Sequence, residues 1–231
     1  MFVAIPNRTR PGIRWATPLL LLACVGVFLW LQTMEPGLRA HWLTDWGALD
    51  GNPPTLHWAE WRDALLDGSM LRPFTALFLH ADWPHLLGNL AFLLIFALPA
   101  ERVLGGGWLL GLFLGGGALA NFGAQLLAGT PGLSVIGASG AISAVIGAYL
   151  ALFPRAQLGL VLPLGLFLEF VKVPASLLIG VWVLLQMGFA YIGPSFGETA
   201  WVAHVGGFLL GAAFALLLRQ RIARRLRHRG A

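Results

Sequence analysis

Charged residues are scarce in this chain. Asp, Glu, Lys and Arg make up 11% of its 231 residues, whereas hydrophobic residues make up 58%. A soluble domain carries roughly a quarter charged residues, so a soluble fold of this length would have too few of them to cover its surface. The composition therefore indicates an integral membrane protein and argues against a soluble enzyme, a nucleic-acid-binding protein or a disordered chain.

Cysteine and metal-binding patterns are also nearly missing. Cys24 is the sole cysteine, which excludes an intramolecular disulfide. His80 and His85 could form half of a metal site, but leucine and not glutamate follows His85, so the His-Glu-x-x-His pattern of zinc proteases is absent. We expect no metal and no cofactor.

Long apolar runs make up most of the sequence and predict six membrane-spanning helices. They lie near 16–33, 83–100, 107–128, 137–153, 173–193 and 199–218. The first run could be a signal peptide, because arginines precede it. It ends without a small-x-small cleavage site, which favours a helix that is retained.

Arginines at both ends of the chain set the predicted orientation. Cytoplasmic flanks carry an excess of Lys and Arg, so both termini are placed in the cytoplasm, and the number of spans must be even. The apolar segment 157–171, which contains Pro163 and Glu169, is therefore interpreted as a cytoplasmic or interfacial loop. The flanking arginines are Arg8, Arg10, Arg14, Arg219, Arg221, Arg224, Arg225, Arg227 and Arg229.

The six predicted spans divide the chain into three regions. Residues 1–15 form a cytoplasmic N-terminus, 16–218 a six-helix domain, and 219–231 a basic cytoplasmic tail. The tail could suggest nucleic-acid binding, but beside a membrane helix it is better explained as a topology anchor that touches anionic lipid. Residues 34–72 form an external loop with several acids and four tryptophans, which favours a position in the headgroup region over a floppy loop.

Small residues recur at short intervals on three of the predicted spans, of which span three carries Gly111, Gly115, Gly116 and Ala120. Span four carries Ser139, Ser143, Gly147 and Ala151, and span six carries Ala203, Gly207, Gly211 and Ala215. Such faces let helix backbones approach closely in a membrane. The pattern predicts a tight bundle and carries little functional information.

Polar residues at membrane depth cluster on the external side. His80, His85 and Asn89 lie at the start of span two, Ser139 opens span four, and His204 lies about five residues into span six. Intramembrane polar groups usually mark function. Convergence of three spans at one depth therefore points to a site.

These residue types together supply the parts of a serine hydrolase. A nucleophilic serine needs a nearby base, and histidine has a suitable pKa. His85, Asn89 and the backbone N–H of Ser139 at a helix start could donate hydrogen bonds to an oxyanion. The shallow position also gives access to the water that hydrolysis consumes.

With these motifs the chain resembles the rhomboid family of intramembrane serine proteases, over about 16–218. Glycines flank the serine and allow a substrate carbonyl to approach closely. The residues that carry the resemblance are Gly137-Ala138-Ser139-Gly140, Ala203-His204-Val205-Gly206-Gly207, His80, His85-x-x-x-Asn89, Arg72, and Glu101-Arg102-x-x-Gly105.

The resemblance implies an all-α membrane protein with a six-transmembrane-helix bundle, and hydrolysis of a peptide bond in or beside a substrate's transmembrane helix. It implies a catalytic Ser139–His204 dyad without a third carboxylate. It further implies an oxyanion hole from His85, Asn89 and Ser139, and structural or supporting roles for His80, Gly137, Gly140, Arg72 and Glu101. The partners would be transmembrane-helix proteins and membrane lipids, with no nucleic acid.

Two positions depart from the family pattern. Some members carry a tyrosine one turn after the serine, packed against the histidine, where this chain has Ser143. Some carry Trp-Arg ahead of span two, where this chain has Leu71-Arg72. The residue that orients His204 therefore stays open, although Asp82 and Glu198 are on the correct side.

Two rival functions are weighed against the protease. A non-catalytic rhomboid-like protein would bind client helices without cleaving them and would be expected to lack the dyad. A small transporter would show polar groups through the membrane depth and internal repeats, neither of which is visible in this sequence. The expected location is a bacterial cytoplasmic membrane, with several membrane passes.

Overall fold

The computed structural model describes residues 14–48, 58–128, 135–164, 167–192 and 198–230. Arg8 and Arg10, named above, lie outside these ranges. The described chain is mostly helical. Its helices are α1 (Ala16–Gln32), α2 (Pro36–Asp45), α3 (Trp58–Leu66), α4 (Arg72–Thr75), α5 (Trp83–Leu104), α6 (Gly106–Gly111), α7 (Gly117–Ala128), α8 (Ser139–Leu152), α9 (Ala175–Ile192) and α10 (Glu198–Gly230).

Three helical stretches in the described residues are long and apolar enough to cross a membrane. They are Trp83–Leu104, Gly106–Leu126 and Trp201–Arg221. The second consists of α6 and α7 joined by a turn of π-helix, Leu112–Gly116. Shorter apolar helices occupy Ala16–Gln32, Ser139–Leu152 and Ala175–Leu184. The protein is thus an integral membrane protein built mainly of helices.

Helix α8 is the centre of the bundle. It packs against α5, α7, α9 and α10, and nearly all of its residues from Gly140 to Tyr149 are buried. Its 14 residues span only about 21 Å, less than the roughly 30 Å of bilayer hydrocarbon. The helix is therefore shorter than a full crossing of the hydrocarbon, and Ser139 is its first residue.

Backbone hydrogen bonds fix the chain that leads into α8. The N–H of Gly137 donates to the Ala76 carbonyl at 2.8 Å, and the N–H of Ala48 donates to the Val135 carbonyl at 2.9 Å. These bonds tie the start of α8 to the segment before α5. The position of Ser139 is consequently set from two sides.

Helices α8 and α10 pack backbone to backbone. A Cβ added at Gly207 would overlap the Gly140 carbonyl, one at Gly211 would overlap the Ala144 carbonyl, and one at Gly147 would overlap the Phe208 carbonyl. The small-residue faces predicted for these two spans therefore face each other. This close approach brings side chains at the outer ends of the two helices into contact.

Glu101, near the end of α5, binds the start of α1. Its carboxylate accepts hydrogen bonds from the backbone N–H groups of Trp15, Ala16 and Thr17 at 2.9–3.0 Å and from the Thr17 hydroxyl at 2.6 Å. The first N–H groups of a helix have no acceptor within the helix, and negative charge is favoured there. Glu101 is 2% exposed, so it joins two helices at the face opposite Ser139.

Replacing Glu101 with alanine is expected to lower the free energy of unfolding by roughly 2–4 kcal/mol, because it leaves buried donors without an acceptor. Unfolding in mixed micelles with increasing SDS would measure the change. Glu35→Ala is the control, since Glu35 precedes α2 without a side-chain capping bond. Equal stability of the two variants would contradict this role for Glu101.

The segment 157–171 forms a β-hairpin, which the all-α expectation did not include. Strand β1 (Gln157–Leu164) pairs antiparallel with β2 (Phe167–Pro174), and Gln157 lies opposite Pro174. The segment is rich in Val, Leu and Phe, which suit strands. Pro163 is tolerated because both strands of a two-stranded sheet are edges.

Two other regions are more helical than expected. The loop 34–72 contains α2 and α3, and the indoles of Trp42 and Trp46 stack with ring centroids 5.9 Å apart. The basic segment 219–231 continues α10 as far as Gly230. No Gly or Pro interrupts residues 212–229, and Leu, Ala and Arg favour helix.

Candidate active site

Ser139 and His204 meet near the N-terminal ends of α8 and α10. Their side chains approach to 2.7 Å, measured between Ser139 Oγ and His204 Nε2. This is hydrogen-bond distance for a hydroxyl and an imidazole nitrogen. A histidine at this distance can take the serine proton, which is the requirement for a nucleophilic serine.

His85 and Asn89 lie on one face of α5 beside this pair. The Asn89 side-chain amide donates to the His85 carbonyl at 2.9 Å. The Asp82 carboxylate accepts the His85 backbone N–H at 2.8 Å and caps α5. The Asp82 side chain therefore caps its own helix, α5.

Gly137 provides the space that His85 occupies. Its φ is +109°, which L side chains rarely adopt, and a Cβ there would lie 2.5 Å from His85 Nε2 and 3.7 Å from the Asn89 amide nitrogen. The lack of a side chain at position 137 thus lets α5 bring both residues close to the start of α8.

Gly137→Ala is expected to reduce labelling of Ser139 by fluorophosphonate probes by about 100-fold or more. The added methyl group would displace the His85 ring, and the positive φ would strain the backbone of an alanine. The matched control is Gly68→Ala. Gly68 also has positive φ, +79°, but no atom lies within 4 Å of its added Cβ. If both variants label like the wild type, His85 does not depend on Gly137.

His80 is buried behind His85. The two rings pack edge to face with centroids 5.1 Å apart, and His80 Nδ1 lies 3.2 Å from the Phe78 carbonyl. Its Nε2 is buried without a hydrogen-bond partner among the described residues. His80 therefore packs against His85 and lies outside the Ser139–His204 contact.

Gly140 directly follows Ser139 in α8, whereas Arg72 begins α4. A Cβ at Gly140 would contact Asn121 Oδ1 at 3.4 Å and Ala203 Cβ at 3.6 Å, so position 140 is closely packed. Arg72 lies in the first loop near Asp67. The backbone and side chain of Ser69 hydrogen-bond the Asp67 carboxylate and lower its pKa, and the Arg72 charge lowers it further.

Ser139, His204, His85 and Asn89 line one cavity of about 270 Å³. It is partly open, and its walls come from α5, α8, α9 and α10. No group of three or more His, Cys, Asp or Glu residues lies together in the described part of the chain. The lining residues are Pro84, His85, Gly88, Asn89, Phe92, Ser139, Ile142, Ser143, Ile146, Trp182 and His204.

Seven of these residues were not predicted as part of the site, and two of the seven contact the Ser139–His204 pair. Trp182 of α9 packs its indole against the His204 ring, with centroids 5.8 Å apart and planes tilted by 40°. Ser143 donates its hydroxyl to the Ser139 carbonyl at 2.7 Å. A tryptophan in an apolar span does not by itself indicate a functional site. Ser143, at the position where some family members have tyrosine, left open which residue orients His204.

The amino-acid sequence is similar to one protein family and to proteins that belong to it. The Rhomboid domain profile matches residues 67–221. The chain is 27% identical over 214 residues to Rhomboid-like protease 2 of Toxoplasma gondii, which covers 91% of this chain and 68% of the relative. It is 35% identical over 97 residues to YdcA of Bacillus subtilis, a protein named provisionally as a rhomboid protease, which covers 39% of this chain and 48% of that protein.

Because the profile covers well over half of the chain, the protein belongs to the rhomboid family. The resemblance drawn from the sequence motifs is thereby confirmed at family level. The match begins at residue 67 and includes every site residue named above.

Proposed function

We propose that this protein is an intramembrane serine endopeptidase that cuts a peptide bond in or beside the transmembrane helix of a membrane-protein substrate. The observation that carries the proposal is the 2.7 Å approach of His204 Nε2 to Ser139 Oγ. Membership of a family with protease-named relatives supports the same reaction class. A purely client-binding protein would have no need of this pair.

His204 acts as the base in this proposal. It removes the Ser139 proton as Oγ attacks the substrate carbonyl, and it then returns that proton to the leaving amine. Water attacks the resulting acyl-enzyme with the same histidine as base. No carboxylate takes part.

The negative charge on the substrate carbonyl oxygen is stabilised by three donors in this proposal. They are the Asn89 amide, the His85 ring and the backbone N–H of Ser139. The first N–H groups of α8 have no acceptor within their own helix and point toward the cavity end. Fixed donors of this kind act strongly where water is limited.

The substrate is inferred to be locally unwound. A helical segment hides its carbonyls in hydrogen bonds, so it must open before Ser139 can reach a peptide carbon. The cavity of about 270 Å³ holds a short extended piece of chain and not a helix about 10 Å across. Substrates with weak helices and small residues at the cut, a preference that the resemblance to the rhomboid family implies, belong to the same proposal.

Cleavage of a single-span reporter protein in liposomes tests the proposal. The wild type should release two fragments whose masses place the cut in or next to the reporter's helix, and Ser139→Ala should release none. Ser143→Ala is the matched control, since Ser143 bonds only the Ser139 carbonyl among the contacts described and should retain cleavage. Fragments from Ser139→Ala would contradict the assignment of the nucleophile.

Six spans, with both termini in the cytoplasm, complete the proposal. The spans correspond to α1, α5, α6–α7, α8, α9 and α10. The hairpin β1–β2 supports six and not seven, because a two-stranded sheet with open edges leaves backbone groups unpaired in hydrocarbon. A bacterial cytoplasmic membrane, the external loop 34–72 and the division at 1–15, 16–218 and 219–231 belong to the same proposal.

Reporter fusions test this topology without a substrate. Fusions after Arg155, after Lys172 and after Arg229 should all report a cytoplasmic location. An external location after Arg229 would require a seventh span and would place α10 in the opposite direction, which is incompatible with the Ser139–His204 contact.

A further inference from the structure

The His204 ring has an aromatic neighbour that comes from a different helix than the nucleophile. The Trp182 indole lies with its centroid 5.8 Å from the imidazole centroid, and the two planes are tilted by 40°. Both rings line the cavity that contains Ser139. Aromatic pairs at this separation attract each other beyond the area that they bury.

The neighbour on the nucleophile's own helix is too small to restrain this ring. Ser143 lies one turn after Ser139, where its side chain is 1% exposed. Its hydroxyl is turned back to the Ser139 carbonyl, at 2.7 Å. Position 143 therefore contributes no ring to the cavity, and the ring contact described for His204 comes from α9.

We propose that Trp182 is a positioning residue that holds the His204 imidazole with Nε2 toward Ser139, an inference that rests on the proposed protease function. Helices α8 and α10 fix the backbones of the dyad through their glycine contacts, and the Trp182 indole packs against the imidazole itself. This contact limits rotation of the imidazole about its side-chain bonds. The indole also attracts the positive charge that His204 acquires when it takes the serine proton, because a cation within about 6 Å of an indole centroid is stabilised.

This assignment has a consequence for α9. The restraint on His204 comes from a helix outside the α8–α10 contact, so the reactivity of Ser139 depends on how α9 is packed. Substitutions that leave Ser139, His204 and their backbones in place but remove the indole should slow the chemical step and not substrate binding.

The rate at which a fluorophosphonate labels Ser139 tests the proposal, because labelling needs the activated serine and no helix substrate. Trp182→Leu should lower this rate about 3- to 10-fold, the range expected for loss of one aromatic pair. It should lower kcat for a reporter substrate by a similar factor, with KM within twofold of the wild type. Trp182→Phe, which keeps a ring, should stay within about twofold in both assays.

A second-site variant tests whether the ring itself is what matters. Position 143 lines the same cavity as His204, so Ser143→Tyr added to Trp182→Leu should restore at least half of the lost labelling rate. Trp108→Leu is the matched control, because it also removes an indole that contacts α10, namely its edge-to-face contact with Phe214. That variant should label at the wild-type rate.

The outcomes separate this inference from the proposed function. If Trp182→Leu is labelled at the wild-type rate, the positioning role of Trp182 is overturned and the dyad assignment stands. A Trp182→Leu defect that appears in KM alone, or that Ser143→Tyr does not relieve, would overturn it as well. A wild-type protein whose Ser139 is not labelled would instead overturn the proposed function.

Discussion

His204→Ala is expected to reduce peptide cleavage by about 10⁴-fold or more while the protein stays folded. Its imidazole is the group at 2.7 Å from Ser139 Oγ, and an unactivated serine hydroxyl is a weak nucleophile. Residues that act as one catalytic unit lose activity together. The double variant Ser139→Ala/His204→Ala should therefore be no slower than either single variant.

A second histidine provides the control for this substitution. His41 lies in the first loop, where its Nε2 is 3.0 Å from an Asp45 carboxylate oxygen and its side chain is exposed. Turnover of a reporter substrate in liposomes should be unchanged in His41→Ala. Loss of activity in both variants would point to a general effect of histidine removal and away from a dyad.

Gly211→Ala is expected to abolish labelling and cleavage without touching the site. Its added Cβ would overlap the Ala144 carbonyl of α8, and backbone cannot rotate out of the way as a side chain can. Helix α10 would have to move from α8, which costs about 3 kcal/mol of stability. The movement would lengthen the Ser139–His204 contact beyond hydrogen-bond distance.

Gly206→Ala separates the packing effect from the effect of losing any glycine. Gly206 lies in the same helix, and no atom lies within 4 Å of its added Cβ. It should keep wild-type unfolding in SDS and wild-type labelling. A Gly211→Ala protein with normal stability and normal labelling would show that the α8–α10 approach does not set the dyad geometry.

The positions of the helices could be predicted from the sequence because apolar length and flanking charge are strong local signals. The apolar run near 83–100 corresponds to α5 (Trp83–Leu104), and the run near 173–193 corresponds to helix α9 (Ala175–Ile192). The small-residue faces of spans four and six also predicted their contact, since close backbone approach in a membrane requires small side chains.

Features that depend on tertiary contacts were not predictable in the same way. The Trp182–His204 ring contact joins helices whose relative rotation no single-helix pattern reports. The sequence predicts only a loop where the β1–β2 hairpin lies, because a short apolar segment with a proline fits either a loop or an edge strand. The basic residues after 218 predict the end of the membrane span but do not indicate that the α10 helix continues beyond it.

Fluorophosphonate labelling followed by peptide mapping tests the central claim most directly. The account predicts one labelled residue, Ser139, because only this serine among the described residues has a histidine nitrogen at hydrogen-bond distance. The adduct should disappear in His204→Ala while the variant still unfolds cooperatively in SDS. An adduct on another serine, or equal labelling of Ser139 in the His204→Ala protein, would contradict the Ser139–His204 dyad.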